Sequence, residues 1–240
     1  MKEMKHMLSY VRRAVDDYHM IEEGDRIAVG ISGGKDSLVL LCALAALRRF
    51  YPKHFELVAI TVDIGLPDID FAPVRELCAS LQVPYVTAHT EIADVIFNIR
   101  KESNPCSLCA KMRRGALHAE AQAQGCNKVA LGHHKDDAVE TFMMNLAFEG
   151  RIGCFSPVTY LSNRRLTLIR PLIYAEEKDV ISVAKRHTLP VVTSTCPEDH
   201  ASERERMKLM LRTLEGTYKD LRQRIFHALC KGKIDGFDLF

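Results

Sequence analysis

The chain has no apolar run long enough to cross a membrane. The longest, residues 38–47, is ten residues with Lys35, Asp36 and Arg48 close by, whereas a helical span needs about 20. Its opening residues are charged throughout, with no apolar stretch ahead of a small-residue cleavage site, so a secretory leader is not expected. Strong charge bias is also missing: 33 basic side chains face 31 acidic ones, which leaves any nucleic-acid binding to a local cluster rather than to overall charge. There is no internal repeat, no low-complexity tract and no linker rich in Gly, Pro or Ser. These absences set aside membrane, fibrous and disordered classes and favour a soluble, cytoplasmic protein with no membrane partner. What is present is 240 residues, 47% hydrophobic and 27% charged, room for one large domain or two small ones.

Short apolar runs alternate with helical patterns along most of the chain. Strands are expected at 26–31, 56–62, 84–89, 128–131, 166–169 and 189–192, and helices at about 35–50, 73–81, 91–100, 107–124, 136–148 and 176–187. A polar helix precedes them, ending near residue 20, and one long helical stretch from about 202 to 230 follows. Strands separated by ten or more helical residues call for right-handed crossovers, hence an α/β fold: a doubly wound, mostly parallel sheet covered on both faces. The expected division is an N-terminal helix at 1–25, a nucleotide-binding domain at 26–200 and a C-terminal helical extension at 201–240.

The first strand ends in Ser32-Gly33-Gly34-Lys35-Asp36-Ser37, and a helix follows. That junction leaves backbone N–H groups free at a helix N-terminus, an anion site. Two glycines admit the anion without a Cβ in the way, Ser32 and Ser37 can donate hydroxyls, and Lys35 adds charge. The spacing is not that of a Walker A loop, and no GxGxxG occurs. The SGGxDS pattern resembles the pyrophosphate loop of the PP-loop ATPases. That resemblance implies ATP, with Mg2+ neutralising phosphate charge, cleaved between its α and β phosphates to adenylate a carbonyl oxygen. Two further strand ends fit such a site. Asp63 closes the second strand, and the resemblance puts its loop beside the adenosine. Gly132-His133-His134-Lys135-Asp136-Asp137 follows the strand ending at Leu131 and matches the Gly-His-x-x-Asp-Asp signature of PP-loop tRNA-modifying enzymes, which implies ATP contacts at Gly132 and Asp137. The two acids also suit a helix N-terminus on their own account.

Eight cysteines in such a chain suggest metal ligands, catalytic thiols or buried free thiols more than disulfides. Cys106 and Cys109 form a CxxC pair, and Cys196 lies in a later loop. Three thiolates could hold a 4Fe-4S cluster with one iron left open, or zinc with His133, His134 or His200 as a fourth ligand. Cys42, Cys78, Cys126, Cys154 and Cys230 lack partner spacing and read as core residues.

The combination of SGGKDS, Pro105-Cys-x-x-Cys109 before Lys111-Met-Arg113-Arg114, Leu131-Gly-His-His-Lys-Asp-Asp137, and Ile169-Arg-Pro-Leu172 before Glu177-Lys-Asp179 resembles the tRNA 2-thiocytidine synthetases, the TtcA family, from about residue 26 to 210. The resemblance implies that Cys106, Cys109 and Cys196 ligate a 4Fe-4S cluster, that an adenylated tRNA base is attacked by sulfur, and that a cysteine desulfurase or another donor supplies that sulfur. A homodimer is the oligomer considered. The chain departs from well-known members in being shorter and in reading Cys196-Pro-Glu-Asp199 where they carry a second Cys-x-x-Cys-like element. It also lacks the terminal zinc-binding CxxC pairs of the related thiouridine synthases.

Basic residues gather at Lys111, Arg113 and Arg114, at Arg151, Arg164, Arg165 and Arg170, and along the last helical stretch. They are candidates for salt-dependent RNA phosphate contacts. In the last stretch Glu203, Glu205, Glu215 and Asp220 are interleaved, as on an ordinary solvated face. The expected catalytic set is therefore Cys106, Cys109, Cys196 and Asp137. The rival readings are a desulfidase acting on thiolated bases, for which the intact SGGKDS is superfluous, and a non-catalytic RNA-binding iron-sulfur module.

Overall fold

The computed structural model describes residues 2–67, 69–100, 105–193, 195–196 and 203–237. Strand β1 (Asp25–Ile31) shows how the sheet is built. Ile27, Val29 and Ile31 pack into one core while Ala28 faces the other, the period of two that puts successive side chains on opposite faces. In β2 (Phe55–Asp63) Leu57 and Ala59 join the first core and Val58 and Ile60 the second. A sheet apolar on both faces has to be covered on both.

Six strands form one sheet in the order β3-β2-β1-β4-β6-β5, adding β3 (Tyr85–His89), β4 (Lys128–Ala130), β5 (Val158–Leu161) and β6 (Leu166–Ile169). All neighbours are parallel except the β5–β6 hairpin. On one face lie α1 (Lys2–Asp17), α2 (Lys35–Leu47) and α7 (Glu177–Arg186), all contributing to the larger core. Met7, Val11, Ala14 and Val15 of α1 are fully buried at the i, i+4, i+7 spacing of an amphipathic helix. On the other face lies α5 (Pro105–Ala123), whose Leu117 and Ala121 cover Ala28, Val58, Ile60 and Leu168. Gly30 permits that approach, since a Cβ there would sit 3.0 Å from Leu117 Cδ2. Helices α3 (Ala72–Ser80) and α4 (Ile92–Asp94, continuing as a π-helical turn at Val95–Arg100) lie along the chain on either side of β3. Helix α6 (Lys135–Glu149) follows β4.

Because the chain runs from β1 to β2 on one side and returns to β4 on the other, the order reverses between β1 and β4. Open α/β sheets bind ligands at the carboxyl ends of strands at that point.

Three expectations need correction. Residues 189–192 are not a strand: Val192 N–H donates to the Gly33 carbonyl at 3.0 Å, so the segment lies over the glycine loop. Pro190 supplies the reason, since it has no N–H for a ladder. The unforeseen strand is β5, which closes a hairpin with β6. The last helical stretch is two helices, α8 (Glu203–Thr217) and α9 (Leu221–Lys231), broken where Asp220 takes φ +60°.

Candidate nucleotide and thiol site

The glycine loop is folded by its own side chains. Ser32 N–H donates to Ser37 Oγ at 3.2 Å, Gly34 N–H donates to Ser32 Oγ at 3.3 Å, and Ser37 Oγ donates to the Gly34 carbonyl at 2.9 Å. Gly33 takes φ +84°, and a Cβ there would fall 2.9 Å from Val192 Cβ. Gly34 caps α2 with no side-chain hydrogen bond, so the first-turn N–H groups stay available to an anion.

Lys35 ion-pairs with Asp36 at 3.2 Å and with Glu177 at 3.3 Å. Burial works against its charge, but Asp36 and Glu177 outweigh burial and hold its pKa above the ordinary value. Glu177 is also bound by Lys208 of α8 at 2.7 Å. Burial would raise this carboxyl, yet Lys208 and Lys35 together bring it down to about 2. Asp36 Oδ1 is buried without a hydrogen bond, His134 Nε2 lying 3.6 Å away. A hard oxygen so placed beside an anion loop suits Mg2+.

The loop after β4 presses on the start of α2. A Cβ on Gly132 would lie 3.0 Å from the Asp36 carbonyl carbon, so Gly132 is needed for backbone packing at this junction. His134 caps α6: its ring accepts from Asp137 N–H, and its own N–H donates to Asp137 Oδ2 at 2.9 Å. Asp137 Oδ1 faces Arg204 at 3.5 Å. Asp136 accepts from Glu177 N–H at 2.8 Å and pairs with Arg222 at 3.2 Å. Glu140, one turn on, is only 4% exposed and pairs with both Arg204 and Arg222. The basic residues Arg204, Lys208 and Arg222 of the C-terminal helices are thus consumed by internal ion pairs and are not free for RNA. Asp63, at the end of β2, accepts from Gly65 N–H at 3.0 Å and meets His89 Nδ1 at 3.1 Å.

Cys106 and Cys109 sit in the first turn and a half of α5, and Cys196 lies outside regular structure, four residues after Val192. Thr195, next to Cys196, donates to the Pro67 carbonyl at 3.2 Å. Burial raises the Cys109 pKa, Arg113 opposes it, and charges on Cys196 and Cys106 both add to the rise. The three thiols therefore share one electrostatic neighbourhood. Among the described residues no three His, Cys, Asp or Glu side chains form a ready site for a single metal ion. Three thiolates, one per iron, are a donor set that a 4Fe-4S cluster could take with its fourth iron left open. The proposed zinc partner His134 is engaged as a cap, and His200 lies outside the described residues.

Between α5 and the sheet is a cavity of about 450 Å³ whose walls include Ser32, Val62, Arg113, Arg114, His133 and Arg170. Its floor holds an arrangement with no signal in the sequence. Phe155 is flanked by the His133 ring, centroids 5.0 Å apart, and by the Arg170 guanidinium at 4.9 Å. His133 Nδ1 and Arg170 Nε are buried without partners. Burial pushes His133 down to about 4, against the pull of Asp137, so the imidazole is neutral at physiological pH. Burial lowers Arg170 to about 10, leaving it charged. Lys35's partner Glu177 was also hidden in the sequence, visible only as part of a motif.

An anion loop at the switch point of a mostly parallel sheet, with two acids in the first turn of the helix after the adjoining strand, is the arrangement of a PP-loop nucleotide-binding domain. The family model that matches, described as a PP-loop domain, covers residues 5–214. Within that class the chain belongs to the tRNA-cytidine(32) 2-sulfurtransferase family. It is 43% identical over 224 residues to the enzyme of Pelobacter propionicus, covering 91% of this chain and 82% of the relative. With the enzyme of Geobacter metallireducens it shares 43% identity over 226 residues, 91% of this chain and 86% of that one. Among solved structures, the U34-tRNA thiolase NcsA from Methanococcus maripaludis with its [4Fe-4S] cluster superposes with a TM-score of 0.76 at 25% identity, over 94% of this chain and 77% of that one. The NH3-dependent NAD synthetase from Campylobacter jejuni, TM-score 0.50 at 15% identity over 96% and 91% of the two chains, shares the fold.

Proposed function

We propose that this chain is an ATP-dependent tRNA thiolase that replaces the 2-oxo group of cytidine 32 with sulfur. One observation carries the reading: the anion loop, the cavity and the CxxC helix adjoin each other at the carboxyl ends of the central strands. Ser32 belongs both to the anion loop and to the cavity wall. Arg113 belongs both to the cavity wall and to the surroundings of Cys109.

The loop from Ser32 to Ser37 binds the pyrophosphate end of ATP through its backbone N–H groups, with Lys35 and Asp36-bound Mg2+ offsetting charge as it develops on the phosphates. Asp63 and Gly132 stand beside the nucleotide, and Asp137 orders the loop that carries Gly132 and His133. The base enters the cavity and its carbonyl oxygen attacks the α-phosphate, so that oxygen later departs as part of AMP. The neutral His133 and charged Arg170 offer hydrogen bonds to a planar base. Cys106, Cys109 and Cys196 would hold the 4Fe-4S cluster. When bound, such a cluster supplies an iron without a protein thiolate, where sulfur can be presented. Arg113 favours the thiolate form of Cys109. A cysteine desulfurase is the proposed sulfur source.

Anaerobic reconstitution with tRNA, ATP and sulfide, followed by nucleoside mass spectrometry, tests the proposal. Expected are 2-thiocytidine at position 32 and stoichiometric AMP and pyrophosphate. Cys106→Ala is expected to abolish thiolation while ATP affinity stays within a few-fold. Thiolation without AMP release, or equal loss of both properties in the variant, contradicts it.

A further inference from the structure

The cations of this chain differ in their partners. In the C-terminal helices Arg204 is tied to Asp137 and Glu140, Lys208 to Glu177, and Arg222 to Asp136, Glu140 and Glu215, while Arg212 and Arg224 are exposed but stand in a helical stretch that also carries Glu203, Glu205 and Glu215. By contrast Lys111, Arg113 and Arg114 of α5, and Arg164 and Arg165 of the β5–β6 turn, are exposed and have no ion pair among the described residues.

The sequence around these five is cleared of acids. Residues 103–119 contain none, and residues 150–175 contain four arginines and none. In a chain with 31 acidic residues, two such stretches meeting in space leave a surface where positive charge is uncompensated. They do meet. Gln122 near the end of α5 donates from Nε2 to the Arg164 carbonyl at 2.9 Å. Burial depresses His118, and Arg114 from its own helix and Arg164 from the hairpin press on it together. The positive strip therefore starts at the cavity mouth, where Arg113 and Arg114 line the wall, and descends along α5 to the hairpin turn. From Lys111 to Gln122 it runs roughly 16 Å at the rise of an α-helix, the span of several nucleotides' phosphates.

We propose that this strip, from Lys111 to Arg165, is the docking surface for the tRNA backbone, which it holds while the target base reaches the cavity at its upper end. The inference rests on the tRNA thiolase reading and adds the face on which the RNA lies. Repeated exposed guanidinium groups without acidic partners suit phosphate oxygens, with affinity governed by counterion release. On this view Arg204, Lys208 and Arg222, held by acids, make no phosphate contacts.

The hairpin arginines are the cleanest probe, because neither touches the anion loop, the thiols or the cavity. The experiment measures binding of unmodified tRNA to wild-type protein and to R164A/R165A across a salt series, with ATP KM and cluster absorbance alongside. Two phosphate contacts account for about 1.4 to 1.8 units of the slope of log affinity against log salt. The double variant is expected to lose about that much slope and to bind tRNA at least tenfold more weakly at low salt. ATP KM, cluster absorbance and turnover at saturating tRNA stay within twofold, and R164K/R165K retains most of the affinity. If wild-type protein binds tRNA with a steep salt dependence and R164A/R165A binds with the same slope, the strip is not the dock. Absence of salt-dependent tRNA binding by the wild type instead removes the thiolase reading beneath it.

Discussion

Replacing Glu177 by Gln removes the carboxylate that joins the glycine loop to the C-terminal helices. Glu177 is 18% exposed and lies 3.3 Å from Lys35 and 2.7 Å from Lys208. Its pKa drops from 4.5 to about 2 because the two lysines outweigh burial. A depression of that size corresponds to about 3 kcal/mol of folding stability at pH 7, at 1.36 kcal/mol per unit. The sign follows from the direction. A carboxylate with a lowered folded pKa stabilises above its unfolded pKa and ceases to do so as the pH falls towards the folded one. By pH 3 about 1 kcal/mol is left. Urea unfolding of wild type and Glu177→Gln at pH 7, 5, 4 and 3 measures this. The variant is expected to be about 3 kcal/mol less stable at pH 7, with the gap narrowing below pH 4.5. A gap that stays constant into acid means that Glu177 acts through packing, and no gap at pH 7 means that neither lysine holds it. Either outcome refutes the electrostatic argument.

Gly33→Ala is expected to weaken ATP binding at least tenfold and to lower stability by about 2 kcal/mol, since a φ of +84° is strained for Ala and the new Cβ meets Val192 at 2.9 Å; adding Val192→Ala relieves only the steric part, which calorimetry of ATP binding will register. Arg222→Met leaves Asp136 and Glu140 short of a cation at 3.2 Å and is expected to cost about 3 kcal/mol or more in urea unfolding. His133, pushed by burial down to about 4, is expected to keep the ring resonances of a neutral imidazole by NMR from pH 8 to about 5. Because its folded pKa lies below the unfolded value, it withdraws stability as the pH falls through 6.5 towards 4, and His133→Gln flattens that part of the profile.

Sequence reasoning succeeded where a local pattern has one physical solution. The apolar run 26–31 followed by SGGKDS could hardly be other than a buried strand feeding an anion loop, and the structure has it so, with Gly33 at φ +84°. Reasoning failed where distant segments compete for one surface. Val192 of the apolar segment 189–192 packs on Gly33, yet apolarity alone does not say whether a segment covers a loop or joins a sheet, and only Pro190 argued against a strand. The hairpin that holds β5 turns at residues 162–165, and its strands are four residues each, too short for alternation to stand out. Charge was the least legible property. Arg204, Arg222, Arg164 and Arg165 are alike in the sequence, and the interleaved acids of the last stretch read as local partners on a solvated face. In the fold, Arg204 and Arg222 reach back to Asp137, Asp136 and Glu140 of α6, more than sixty residues away along the chain. Which cations remain for a ligand is decided by those long-range pairings, so a count of basic residues could suggest RNA binding but could not indicate on which face it occurs.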